Sequence, residues 1–170
     1  LVPENFYVRG LKPKVFLCRD LCMLSNFKSF FSSKKGEDQN PQEDLNLACA
    51  ALLCEAASMD GSYDAEEKEV ITKLIGKQFD LNNEEALNIV NEGKKLSEES
   101  SQIYGFTKVI KQSWDLEKRI KIIEMLWEVA YADGFLDPTE DMLIRRVAGL
   151  IHVEDKHRMQ AKNNILGKQI

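Results

Sequence analysis

Apolar residues recur along this chain at helical spacing. In AEEKEVITKLIGKQF, residues 65–79, Val70, Ile71, Leu74 and Ile75 fall on one helix face. In DLEKRIKIIEMLWEVAYAD, residues 115–133, a single stripe holds Leu116, Ile120, Ile123, Trp127 and Ala130. PQEDLNLACAALLCEAASMD, residues 41–60, differs in being apolar on several sides, through Leu45, Leu47, Ala48, Ala51, Leu52 and Ala56. That pattern predicts a central, buried helix. NNEEALNIVNEGKKL opens on an Asn with Glu residues in its first turn, where anions suit the helix dipole. SQIYGFTKVIKQS is a weaker helix because Gly105 interrupts it. PTEDMLIRRVAGLI and EDKHRMQAKNNIL close the chain. No alternating runs lie between Gly or Asn turns, so strands are not expected. The predicted fold is all-α, a compact bundle of about seven helices.

The pattern also repeats. MDGSYDAEE at 59–67 and ADGFLDPTE at 132–140 both read D-G-x-x-D-x-x-E, and each joins two apolar helical runs. A shift of 73 residues aligns Glu55 with Glu128, Asp60 with Asp133, Gly61 with Gly134, Asp64 with Asp137 and Glu67 with Glu140. It continues through Ile71 with Ile144 and Gly76 with Gly149. Two helical hairpins with equivalent corners predict an internal pseudo-symmetric duplication.

Charge divides the chain. Residues 1–40 hold seven Lys/Arg and four Asp/Glu, net +3, which leaves −8 for residues 41–170 out of a total of −5. An acidic body excludes nucleic acid, whose phosphates need a basic face, and favours a cation or a basic protein surface. Residues 1–22 match no helical period and read as an unstructured extension, or as a stretch upstream of a start at Met23. Residues 23–42 form a basic-aromatic helix, MLSNFKSFFSSKK, and a linker. Residues 43–170 form the helical domain. The segment 23–35 could dock on its own domain, lie at a membrane surface as a peripheral contact, or enter a partner's groove. No run approaches the ~20 apolar residues of a membrane span, and no signal peptide is evident, so a cytoplasmic protein is expected. Cys18, Cys22, Cys49 and Cys54 form no metal-ligand spacing and read as reduced, small apolar residues.

Most of the corner motif follows from helix termini. Gly61 and Gly134 sit where a helix ends and a left-handed residue is favoured. Asp64 and Asp137 fit the following N-caps, Glu67 and Glu140 complete capping boxes, and Pro138 takes the first helical position. Asp60 and Asp133 escape that account, because a helix C-terminus disfavours an anion. Glu55 and Glu128 lie one turn earlier in apolar company. Acids converging on one loop repel each other unless a cation or a basic side chain sits among them. The spacing matches the second half of an EF-hand loop, but Ala56, Ser58, Val129 and Tyr131 stand where its first half needs acids. Two accounts remain open: helix caps alone, or a weak or shared Ca²⁺ or Mg²⁺ site.

The paired corners, with EDMLIRRVAGLIHV after the second, resemble the TerB-type tellurite-resistance domain, whose relatives include the N-terminal region of membrane-associated DnaJ-type co-chaperones. The resemblance covers about residues 43–168. It implies an all-helical, duplicated fold with the acids of both repeats on one side, binding metal, and a role in stress resistance. Carried over residue by residue, the metal-binding set is Asp60, Asp64, Glu67, Asp133, Asp137 and Glu140. No J-domain follows, so co-chaperone activity does not transfer. The alternative is a plain helical interaction or co-chaperone-related adaptor without metal.

Other signals are weaker. His152 and His157 read as surface residues, Trp114 and Trp127 as core, and Arg145, Arg146, Lys156 and Arg158 as solvated charges. There is no nucleophile–base pair, phosphate loop, zinc motif or Glu-x-x-His, so the expected module is non-catalytic, with an unidentified protein partner.

Overall fold

The computed structural model describes residues 41–59, 61, 63–99, 103–134 and 136–167. The expectations for residues 1–22 and 23–35, and for Asp60, lie outside the described residues. Within the described residues there are seven helices and no strand. They are α1 (Pro41–Ala57), α2 (Ala65–Phe79), α3 (Asn83–Glu99), α4 (Ile103–Ser113), α5 (Leu116–Ala130), α6 (Pro138–Leu150) and α7 (Asp155–Leu166).

α1 is the axis of the bundle. Its side chains are buried on all sides from Leu45 through Cys54, and again at Ala56 and Ala57. The small residues of this helix let its neighbours come close, and it packs against α2, α3, α4, α5 and α6. The tightest approach is at Gly93 of α3. A Cβ built there would stand 2.8 Å from both Ala50 Cβ and the Ala51 backbone nitrogen. Cys49 and Cys54 are free thiols within this core. Burial pushes both thiols up, Cys54 to about 11, so they act as apolar residues rather than nucleophiles.

Local signals end the helices as their sequences imply. Asn82 and Glu85 cap the start of α3 reciprocally, each side chain accepting the other's backbone N–H at 3.0 Å. Asp115 opens α5 by accepting from Lys118 N–H at 3.0 Å. α4 is a full helix despite Gly105, because Ile103, Phe106, Val109 and Ile110 are buried against the bundle. Tertiary burial there outweighs a propensity cost of about 1 kcal/mol.

α7 packs on α5 and α6. Two expectations need correction in this half. Arg158 is not a solvated charge: it is buried, with Nη2 at 2.7 Å from Asp155 and Nη1 at 3.8 Å from Asp141 of α6. Leu116 is not part of the buried stripe: it is the first residue of α5, where Glu117 and Lys118 beside it are exposed too, and it is itself 40% exposed. Trp114 and Trp127 are buried as expected. Among the described residues, no helix is long and apolar enough to cross a membrane.

Candidate functional site

The corners after α1 and α5 are built from the same backbone hydrogen bonds. In the first, Ser58 N–H donates to Cys54 O at 3.1 Å, Met59 N–H to Ala56 O at 3.2 Å and Gly61 N–H to Ser58 O at 3.2 Å. In the second, Tyr131 N–H donates to Trp127 O at 3.1 Å, Ala132 N–H to Val129 O at 3.0 Å and Gly134 N–H to Tyr131 O at 3.1 Å. Gly61 and Gly134 then reverse the chain at φ +87° and +82°, which L side chains rarely adopt.

The next helix starts from a full capping box in both corners. Asp64 Oδ1 accepts from Glu66 and Glu67 N–H at 2.9 Å each, and Glu67 Oε2 accepts from Asp64 N–H at 3.0 Å. Asp137 Oδ1 accepts from Thr139 N–H at 2.6 Å, and Glu140 Oε2 from Asp137 N–H at 3.1 Å. Pro138 occupies the first turn. The Thr139 side-chain and backbone hydrogen bonds hold the Asp137 carboxyl below its usual range. Each of these bonds uses one oxygen of a carboxylate that has two. Capping a helix and facing a cation are therefore compatible roles for one residue.

Tertiary packing sets the corners face to face. α2 packs on α5, and α1 packs on α6. Between them lies a cleft of about 330 Å³ whose lining includes Asp64 and Glu67 from the first corner and Asp133, Asp137 and Glu140 from the second. Five of the six acids singled out in the sequence thus share one cleft. Val129, Ala130, Ala132, Leu136 and Pro138 supply its apolar wall, all from the second corner. Asp64, Asp133 and Asp137 are exposed, Glu67 is half-buried and Glu140 is buried. The N-termini of α2 and α6 both open here, and each dipole favours the adjacent carboxylates.

The donors are hard oxygens, the chemistry that Ca²⁺ and Mg²⁺ take. They are spread around the cleft rather than clustered. Among the described residues, no three His, Cys, Asp or Glu side chains form a group that could hold an ion as they stand. Spread carboxylates suit an ion that keeps part of its water, as Mg²⁺ does with one or two carboxylate ligands. Glu55 and Glu128 do not line the cleft. Glu128 is exposed, while Glu55 is half-buried near Lys94.

Basic side chains behind the corners were not legible in the sequence. Lys94 of α3 donates to Ser58 Oγ at 2.8 Å, lies 3.3 Å from Glu98 and sits 4.7 Å above the Tyr63 ring. Lys162 of α7 lies 4.5 Å above the Trp127 ring and 3.5 Å from Asp141. Both reach back from the helix after the hairpin, but they are not 73 residues apart, so the repeat does not reveal them.

Compared with known protein families, residues 46–163 match the family described as tellurite resistance protein TerB. No curated protein and no solved structure matches the chain. The family match spans well over half of the 170 residues and contains both corners: the chain belongs to the TerB tellurite-resistance family.

Proposed function

We propose that this chain is a non-catalytic module of tellurite-type stress resistance in the cytoplasm, and that its acid-lined cleft takes a divalent cation, Ca²⁺ or Mg²⁺. The observation that carries the reading is the meeting of acids from both corners in one cleft. Asp64, Glu67, Asp133, Asp137 and Glu140 are the candidate ligands, with Asp60 the sixth by its place in the motif. A cation there neutralises mutual repulsion across the α2–α5 and α1–α6 contacts. The setting of the two hairpins, which we read as an internal duplication, then stiffens and presents a face to a protein partner.

The second reading is a helical interaction adaptor without metal. It draws on the capping boxes, which already account for four of the acids as helix starts. Calorimetric titration with CaCl₂ and MgCl₂, beside melting curves, separates the two. The cation reading expects heat of binding and a rise in Tm growing with ligand concentration. Asp133→Asn with Asp137→Asn removes both effects while Asn keeps the cap. Absence of heat and of any Tm shift at millimolar ion overturns it.

A further inference from the structure

The outer face of α6 carries a second feature, independent of the cleft. Of the four arginines in the described residues, two are tied down. Arg119 Nη1 donates to Ile151 O at 2.6 Å, and Arg158 is buried against Asp155. The other two, Arg145 and Arg146, are exposed side by side, with no hydrogen bond or ion pair among the described residues. One turn before them is Met142, 69% exposed. One turn after is Gly149, where an added Cβ would meet nothing within 4 Å. Met142, Arg145, Arg146 and Gly149 stand at i, i+3, i+4 and i+7, a ridge about 10 Å long on one helix face. On α7, Met159 is also exposed. Met142 and Met159 are the sequence neighbours of the Asp141–Arg158 pair that ties the two helices together.

We propose that this α6 face, bordered by Met159, docks an acidic amphipathic helix from another protein. Arg is enriched at protein interfaces because its planar fork binds carboxylates bidentately, and Met adapts to an irregular apolar surface. Gly149 lets a partner backbone approach closely at the end of the ridge. Arg145 and Arg146 set two positive charges side by side on an exposed turn of a body of net −8. The same body charge disfavours an extended anionic bilayer, which would face the acidic surroundings as well as the ridge. A single acidic helix meets the ridge alone.

The test uses the full chain with methyl-¹³C methionine. The probe is a synthetic helix whose Leu stripe is flanked by Glu, beside a scrambled peptide of the same composition, both at physiological ionic strength. The Met142 and Met159 methyl signals are expected to shift with the helix while the core Met125 signal stays. Arg145→Glu with Arg146→Glu weakens the affinity about tenfold or more, through loss of charge-assisted hydrogen bonds. Both sites are exposed, so Tm is expected to hold; Met142→Lys is the second variant and loses the same binding. Equal binding of the scrambled peptide, or no shift at millimolar helix, overturns the proposal. So does co-sedimentation with phosphatidylglycerol vesicles moving the same signals, or a dimer of the chain dissolved by the Arg145→Glu, Arg146→Glu pair.

Discussion

Gly61 and Gly134 isolate backbone strain from packing. Each has positive φ, and a Cβ at either would meet no atom within 4 Å. Alanine there costs only the left-handed conformation, about 1–2 kcal/mol. Gly61→Ala and Gly134→Ala are therefore expected to lower stability by similar amounts in urea melts, and Asn at either position by less. Unequal losses would show that the corners differ in more than sequence. Glu55 offers a test in pH. Burial raises its carboxyl pKa above 4.5, with Lys94 opposing the shift. The folded state then holds the proton more tightly than the unfolded chain, so stability falls as pH rises through the folded pKa. Glu55→Gln removes that penalty. The variant is expected to melt above the parent at pH 7, and the gain should vanish below 4.5, where both states are protonated. A gain that persists in acid would assign it to packing instead.

Elements owe their positions here more to close approach than to propensity. Gly93 shows the conflict within α3. Ala is the better helix former by about 1 kcal/mol. Its Cβ would nevertheless press to 2.8 Å on Ala50 and on the α1 backbone, which cannot move aside as a flexible side chain would. Gly93→Ala is expected to lose about 1–3 kcal/mol, the usual cost of overpacking, and denaturant melts read it directly. A neutral or stabilising result would mean that α3 can slide on α1. α7 is held differently, through the Arg158 link to Asp141 of α6 and the Lys162 contact with Trp127 of α5. Its sequence gives little sign of this, since a buried arginine in EDKHRMQAKNNIL looks like any charge on a polar helix.

For the molecule as a whole, the acids of the cleft set a condition on assembly. Repulsion between corners falls with ionic strength, because charges near solvent are screened within about 10 Å at 0.1 M salt. If a specific cation occupies the cleft, MgCl₂ or CaCl₂ raises Tm beyond KCl of equal ionic strength, and Asp133→Asn reduces the difference. Equal effects of the three salts would leave screening as the whole account. The same comparison with Arg145→Glu and Arg146→Glu should show no change, since the α6 ridge is built apart from the cleft.

The sequence by itself determined the all-helical class, the buried axis α1, both capping boxes and both left-handed glycines. These are local effects: periodicity, side chains within three residues of a terminus, and a glycine that no L residue replaces cheaply. TerB membership was legible for the same reason, since the corner motif is contiguous in the chain. The sequence could also mark Asp64, Glu67, Asp133, Asp137 and Glu140 as candidates and, through the family resemblance, expect the acids of both repeats on one side, but it did not show the cleft that these five line. Only the packing of α2 on α5 and of α1 on α6 brings together acids about 70 residues apart in sequence, and only packing put Lys94 behind Tyr63 and buried Arg158. Contacts between distant segments depend on how whole helix faces bury one another, and no short stretch of sequence carries that information.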